Sequence, residues 1–176
     1  MRPRFLTLAA GGGVLLLWCA DLRAQGSVTK VVQRFEKRFS HDLSEAAEEM
    51  PEDRYAFKPT QAQMTFGEIV LHVAEANAFL CSAIARTPLP EQRRLVPTDS
   101  KDKLGGLLED SFDVCDDVLD HADDSFLEDS IPYFGGRRTT RAAALIELAS
   151  MWATNYSYLA IYLRLNGLEP PTAKRK

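Results

Sequence analysis

Hydrophobic and polar residues alternate along most of this chain with the period of an α-helix. Four segments of about twenty residues carry apolar side chains at spacings of three and four, which places them on one face of each helix. No convincing pair of strands and no internal repeat is visible, so the sequence predicts an all-α four-helix bundle. The predicted helices run from about Ser27 to Met50, from Thr65 to the loop at 87–99, from about Ser100 to Ala122 and from about Thr140 to Asn166.

Residues at the helix ends support these boundaries. Ser27 can cap the first helix and Pro51 ends it, while Thr65 and Glu68 have the spacing of a capping box. The connections at 51–63 and 87–99 are long enough to cross an end of a bundle, so a simple up-down-up-down order is not required. The core face of the first helix is predicted to carry Val28, Val31, Val32, Phe35, Phe39, Leu43, Ala46 and Met50.

The first residues have the order of a secretory signal. A basic start at Met1–Arg4 precedes an apolar run from Phe5 to Ala20, and the small residue Ala24 follows. The apolar run is too short to span a membrane comfortably. We therefore predict cleavage of a signal peptide at 1–24, a bundle domain at 25–172 and a basic tail at 173–176. The protein is predicted to be periplasmic or secreted, without stable membrane insertion after cleavage.

Charge and cysteine content narrow the function. The chain has a net charge of −4, which argues against a nucleic-acid partner because such proteins need a basic face. Cys19 would leave with the signal peptide, so Cys81 and Cys115 remain in a compartment that permits disulfides. If the second and third helices are neighbours, these two cysteines can form a disulfide. The alternative is two buried free thiols.

The few histidines offer the main candidate chemistry. His41, His72 and His121 are the three in the chain, and none has the spacing of a standard zinc motif. His72 lies on a flank of the second helix with Glu68, Glu75 and Phe79, where it could face a cleft or pair with a glutamate. The aspartate-rich third helix could bind a hard cation, but a solvated face is favoured. The sequence names no catalytic residue.

Three stretches together resemble the DinB-like superfamily (damage-inducible, bacillithiol-transferase-like). Their order and spacing cover essentially the whole chain after the signal. The resemblance implies a four-helix bundle with one long crossing connection. The stretches are Met-Pro-Glu-Asp-Arg-Tyr-Ala-Phe-Lys-Pro at 50–59, Thr-Phe-Gly-Glu-Ile-Val-Leu-His-Val-Ala at 65–74 and Tyr-Leu-Arg-Leu-Asn-Gly-Leu-Glu-Pro-Pro at 162–171.

The resemblance also implies a divalent metal held by three histidines, one from the second helix and two from the fourth at a spacing of four. His72 matches the first position, but Met151 and Asn155 stand at the other two, and no histidine follows His121. An asparagine amide is a weak ligand, and a thioether prefers Cu(I) to Zn²⁺ or Ni²⁺. The metal site is therefore predicted to be degenerate, with a Cu(I) site at His72 and Met151 as a minor alternative.

Two functions follow from this resemblance. The favoured one is an exported, non-catalytic protein that binds an unknown small molecule or protein at the pocket of Met151 and Asn155, with no cofactor. The alternative is a metal-dependent hydrolase or thiol transferase of the DinB-like superfamily, which would need Zn, Ni or Mn to activate a water or a thiol. The fold is compatible with both functions. A homodimer is compatible with the sequence, although no apolar face stands out from the core stripes.

Overall fold

Helices account for most of the structure, a computed structural model that describes residues 27–89 and 94–175. The predicted helix boundaries hold to within about two residues, and the all-α class is confirmed. The predicted signal peptide at 1–24 lies outside the described residues. The elements are α1 (Val28–Glu49), α2 (Phe66–Ala85), α3 (Lys101–His121), β1 (Ser130–Pro132), β2 (Arg138–Thr140), α4 (Arg141–Leu165) and α5 (Pro171–Lys174), with single 3-10 turns at Glu52–Arg54, Asp124–Phe126 and Phe134–Gly136.

The four long helices form a bundle in which α2 and α3 run in the same direction. Cys81 pairs with Cys115, and Asn77 bonds Ser111, so positions along the two helices advance together. Helix α1 packs on α3 and α4, and α2 packs on the same two helices, which places α1 and α2 at opposite corners. The connection between α2 and α3 must therefore return along the length of the bundle, as the resemblance implied.

Gly67 allows this returning connection to pass close to the start of α2. A Cβ atom at this position would lie 2.7 Å from the carbonyl oxygen of Pro97, closer than atoms can approach without movement. The first turn of α2 is fixed by the predicted capping box, in which Thr65 accepts from the Glu68 N–H and Glu68 accepts from the Thr65 N–H. The crossing chain and the helix start thus meet at a residue without a side chain.

A short β-ribbon corrects the expectation that the chain has no strand pair. Strands β1 and β2 are antiparallel, with Ile131 opposite Thr139. Gly135 and Gly136 adopt positive φ angles of 67° and 71° in the turn between them. Each strand has three residues, too few for the alternation of polar and apolar residues to be recognised in the sequence. The buried side chain of Ile131 anchors the ribbon on the bundle.

The core is centred on α2. This helix is long and apolar enough to cross a membrane by composition, yet 72% of its most apolar window is buried inside the bundle. Cys81 and Cys115 are both fully buried, and the structure joins them in a disulfide with Cα atoms 5.3 Å apart. The parallel neighbours α2 and α3 therefore bring together the two cysteines that the sequence left open between a disulfide and free thiols.

The predicted core face of α1 is partly wrong. Val28, Val31 and Phe35 are 37%, 37% and 40% exposed. Polar side chains take the inward positions instead, and Thr29 and Asp42 find partners on other elements. Thr29 donates to Asp124, Glu36 faces Asp116 of α3, and Asp42 lies 2.5 Å from the Arg175 guanidinium. Hydrophobic periodicity cannot distinguish such partnered polar positions from exposed ones.

The C-terminal residues are attached to the bundle, although the sequence suggested a solvated basic end at 173–176. Helix α5 packs on α1, and Arg175 and Lys174 pair with Asp42 and Glu49 of that helix. The Tyr156 hydroxyl group also bonds Thr172 at 2.7 Å. The predicted boundary at residue 172 falls inside α5, so the last turn belongs to the bundle.

Stability should depend on pH through Glu36, which is 2% exposed between α1 and α3. Burial is the main cause that raises the pKa of this carboxyl group from 4.5 to about 7, and the charge of Asp116 is the second. The stabilising neutral form is complete below pH 4.5 and is lost as the pH rises through about 7. We expect Glu36 to account for a loss of about 3 kcal/mol in unfolding free energy by pH 8.

Chemical denaturation of the native chain and a Glu36→Gln variant at pH 5, 6, 7 and 8 measures this effect. The variant should gain stability over the native chain as the pH rises. The exposed Glu109→Gln on α3 serves as control and should leave the pH dependence unchanged. A constant difference between Glu36→Gln and the native chain across this range contradicts the prediction.

Candidate functional site

His72 is the candidate ligand on α2, and its side chain is exposed although both neighbouring residues are buried. Glu68 lies one turn before it and Phe79 two turns after it, so the three share one flank of the helix. Partners of Glu68 and Phe79 identify what this flank faces. Phe79 stacks on Phe134 of the ribbon turn with ring centroids 4.4 Å apart, and Glu68 acts electrostatically on Tyr162 of α4.

The facing flank of α4 carries Met151, Asn155, Tyr158 and Tyr162, spaced by three or four residues. Asn155 is 5% exposed, Met151 is half-buried against the core, and Tyr158 is 43% exposed. We call this arrangement the α2–α4 seam, defined by Glu68, His72 and Phe79 of α2 and Met151, Asn155, Tyr158 and Tyr162 of α4. That the predicted ligand at His72 and the predicted pocket residues Met151 and Asn155 meet across this seam stays a prediction from their positions on the two helices.

Aromatic side chains close one end of the seam beside Phe79. The Tyr133 hydroxyl group donates to the Glu147 carboxylate at 2.6 Å, and Tyr133 and Phe134 pack edge to face. The hydrogen bond to Glu147, together with burial and the charge of Glu147, raises the pKa of Tyr133. The Tyr133 hydroxyl group therefore keeps its proton, and its hydrogen bond to Glu147 attaches the ribbon to α4.

Tyr162 closes the other end. Its hydroxyl group donates to the Met64 carbonyl oxygen at 3.0 Å, and its ring packs edge-on against Phe57 with centroids 5.8 Å apart. Burial is the main cause that raises the pKa of Tyr162, and the charges of Tyr158 and Glu68 raise it further. Both ends of the seam are therefore held by neutral tyrosines, and His72 and Glu75 are exposed polar side chains between them on α2.

The donors in the seam do not fit a hard or borderline divalent ion. The Asn155 amide donates from Nδ2 to the backbone carbonyl of Met151 at 2.8 Å, so its nitrogen is bonded to its own helix. Met151 supplies a soft thioether, which leaves one imidazole as the strong ligand. Among the described residues, no group of three His, Cys, Asp or Glu side chains could hold a metal ion.

A buried polar network lies directly behind the seam. The Trp152 indole donates from Nε1 to Asn77 Oδ1 at 2.6 Å, and the Asn77 amide donates to Ser111 Oγ at 3.1 Å. These three fully or nearly fully buried residues connect α4, α2 and α3. Asn77 stands among apolar residues in the sequence of α2, which gives no sign of what its side chain bonds. A polar residue among apolar core positions was the signal in the sequence that could have pointed to this network.

The acidic residues of α3 are largely solvated, as expected, but Asp124 has a structural role that the sequence did not show. Its carboxylate accepts hydrogen bonds from Ser27, Val28 and Thr29 at the first turn of α1. These hydrogen bonds lower the pKa of Asp124 to about 2, and the bond from the Thr29 backbone has the largest effect. An ionised carboxylate at the helix N-terminus stabilises that end of α1. His41 and His121 are both exposed and lie outside the seam.

Surface cavities occur elsewhere in the described part of the chain. One of about 720 Å³ lies between the last turns of α2 and α3, and smaller ones of about 260 and 470 Å³ lie beside Tyr55 and Asn166. His72, Met151 and Asn155 line none of these three. The cavity of about 720 Å³ therefore lies at a different place from the predicted site.

Comparisons with known proteins place the fold. A profile of the DinB superfamily matches residues 36–150. The structure resembles a DinB-like protein from Bacillus subtilis, with 21% identity, a TM-score of 0.65 and coverage of 83% of this chain and 99% of that one. A conserved protein from Enterococcus faecalis is similar at 16% identity and a TM-score of 0.64, with coverage of 80% and 98%.

A third similar structure is a histidine-to-alanine mutant of a mycothiol-dependent maleylpyruvate isomerase. It shares 12% identity with a TM-score of 0.60, and the alignment covers 74% of this chain and 60% of that one. At these identities the three structures support the fold alone. A comparison with curated proteins gives no match.

Proposed function

Because this chain belongs to the DinB superfamily, we propose that it is a metal-free, non-catalytic member that binds a small molecule or a partner protein at the α2–α4 seam. One observation carries the proposal: the residues at the two candidate α4 ligand positions are poor ligands, the soft thioether Met151 and the neutral amide Asn155. The resemblance implies two histidines at these positions, and without them a catalytic metal lacks its usual three protein ligands.

The surroundings of His72 support binding. Tyr133, Phe134 and Phe79 form one end of the seam, while Tyr158 and Tyr162 form part of the other. Aromatic side chains with polar tips offer flat apolar contact area together with hydrogen-bonding groups, a combination common in ligand sites. The exposed imidazole of His72 adds one group that can donate or accept near neutral pH.

The second candidate is a metal-dependent hydrolase or thiol transferase. It is favoured by the exposure of His72 and by the similarity in fold to a mycothiol-dependent isomerase. This function requires Zn, Ni or Mn, and the donors around His72 do not fit such an ion. Metal content therefore separates the two candidates.

We also propose that the protein works in the periplasm or outside the cell after removal of residues 1–24. The charged, apolar and small-residue order of the first residues supports export. The disulfide between Cys81 and Cys115 adds independent support, since such bonds persist in oxidising compartments.

Two measurements test these proposals together, the metal content and the intact mass of the protein. The protein is expressed without a tag and recovered from the periplasm of a bacterial expression host. We expect a mature chain that begins at Gln25 and holds no stoichiometric Zn, Ni or Mn. Stoichiometric metal that a His72→Ala variant loses supports the enzyme. A full-length mass with all protein retained in the cytoplasm excludes export without affecting the metal result.

Restoring the missing ligands provides the matched gain-of-function variant. The double variant Met151→His/Asn155→His places two imidazoles at i and i+4 of α4, facing His72. We expect it to bind one Zn²⁺ per chain in equilibrium dialysis. Adding His72→Ala to this background should weaken binding at least about tenfold, because one of three protein ligands is lost. Failure of the double variant to bind shows that α4 does not face His72 as inferred.

A further inference from the structure

The cavity of about 720 Å³ at the end of the bundle lies away from the α2–α4 seam and has a composition of its own. The last turn of α2, the second half of α3 and the first residue of α4 surround it. Its volume is within the usual range for small-molecule sites. None of the residues that line it belongs to the seam, so its occupant is a separate question from the proposed function.

Apolar side chains form the inner walls of this cavity. Ile84 is 2% exposed, and Val114, Val118 and Ala122 are half-buried along one line of α3. Asp113, Asp117 and His121 are exposed on the adjacent line of the same helix and form the outer rim. The wall of α3 therefore changes from charged to apolar with depth, which suits a molecule with an apolar body.

Arg141 supplies a positive charge in this cavity, and its Nε atom is buried without a hydrogen-bond partner among the described residues. Its guanidinium group is half-buried and makes no hydrogen bond or ion pair with the described residues. Its close contact is the ring of Phe126, whose centroid lies 5.5 Å from the guanidinium carbon. A partly desolvated guanidinium favours an acceptor oxygen, which it can bind through several N–H groups.

The neighbouring charged groups already have partners or lie in water. Arg86 is bonded to Asp129 at 2.6 Å, and the Arg141 backbone N–H donates to the Asp129 carbonyl oxygen. Asp123 accepts from the Ser125 backbone at 2.7 Å, and the Ser125 hydrogen bonds, followed by the charge of Arg141, lower the pKa of Asp123. Asp117 lies 3.7 Å from the imidazole of His121 at the rim. Arg141 is left as the cation able to accept a new anionic partner.

From this geometry we propose that the cavity binds a small amphiphilic monoanion, with an acidic head group on Arg141 and an apolar body against Ile84, Val114 and Val118. A medium-length monocarboxylate has this chemistry. A long-chain amine would instead place its ammonium group at the rim beside Asp113 and Asp117, so the head group distinguishes the two orientations.

Octanoate, octanol and octylamine share one chain length and differ only in the head group, so isothermal titration of the full protein with each tests the proposal. We expect octanoate to bind most tightly. An Arg141→Gln variant should bind octanoate about tenfold or more weakly, which is the loss of affinity expected when a hydrogen bond between charged groups is removed. Octanol binding should stay unchanged in that variant. The exposed Arg34→Gln on α1 removes the same charge away from the cavity and should have no effect.

A second variant tests the location without disturbing the core. Ala85 is exposed at the last residue of α2 and lines the cavity, so Ala85→Trp can fill it in a folded protein, which circular dichroism verifies. This variant should abolish octanoate binding. The proposal is wrong if octylamine binds most tightly, if Arg141→Gln and Arg34→Gln behave alike, or if octanoate shows no saturable binding to the native chain.

Discussion

A variant with both Cys81→Ala and Cys115→Ala should unfold with a free energy about 3–4 kcal/mol lower than that of the native chain. The bond closes a loop with a sequence separation of 34 residues between two parallel helices. Removing it restores freedom to the unfolded chain, which is where a disulfide acts in the loop-entropy account. Urea denaturation under oxidising conditions measures the difference.

The reduced native chain separates loss of the bond from loss of side-chain volume, because it keeps both sulfur atoms in the core. It should lose most of the same free energy, while addition of reductant should leave the double alanine variant unchanged. Native protein with two thiols that react in denaturant without reductant, and with equal stability before and after reduction, would contradict the disulfide.

Replacement of Asn77 by alanine is expected to lower the unfolding free energy by about 2–4 kcal/mol. The change leaves the buried Trp152 indole N–H without an acceptor and removes the bond to Ser111, and each unsatisfied buried group costs about 1–3 kcal/mol. Ser111 keeps its own bond to the Leu108 carbonyl oxygen at 2.7 Å, which limits the loss on that side. Denaturation followed by circular dichroism measures the change.

A double-mutant cycle with Trp152→Phe isolates the pair, since phenylalanine removes the N–H but keeps an aromatic ring. The two changes together should cost less than their sum. Asn155→Ala is the matched control, because among the described residues this buried asparagine bonds a carbonyl of its own helix, and its loss should cost about 1 kcal/mol. Additive costs for Asn77 and Trp152 exclude a coupling between them.

Local sequence signals predicted the helices well because they act within a few residues. The capping box of Thr65 and Glu68 and the cap at Ser27 are present as expected. The stripe of α2 is buried throughout, since this helix packs against two others and carries few polar residues. The long crossing connection was implied by the resemblance, and the parallel packing of α2 and α3 confirms it.

Predictions failed where a polar side chain has a distant partner. Asp42 lies inward on α1 because Arg38 and Arg175 pair with it there, and Glu36 also lies inward, opposite Asp116. Val28 and Phe35 lie outward in consequence, although both are apolar. The β-ribbon was missed for a related reason: its short strands depend on Ile131 packing against the bundle and on two glycines in the turn.

The candidate site was only partly accessible from sequence. His72 could be singled out by its position on a flank of α2, and Met151 and Asn155 followed from the resemblance. The sequence could not show that Asn155 bonds the Met151 carbonyl group, nor that Phe134 and Tyr133 close one end of the seam. The role of Arg141 in a separate cavity was also hidden, because it depends on Phe126 and on the ends of two helices.

The sequence by itself determined four amphipathic helices with their ends, an acidic surface, two cysteines after residue 24 and the absence of any histidine after His121. These properties follow from residue types and from spacings of a few residues. Only the tertiary structure decided that α2 and α3 run parallel, which joins the two cysteines, and that polar residues occupy one side of α1. Those features depend on contacts between residues far apart in the chain, and no local pattern records such contacts.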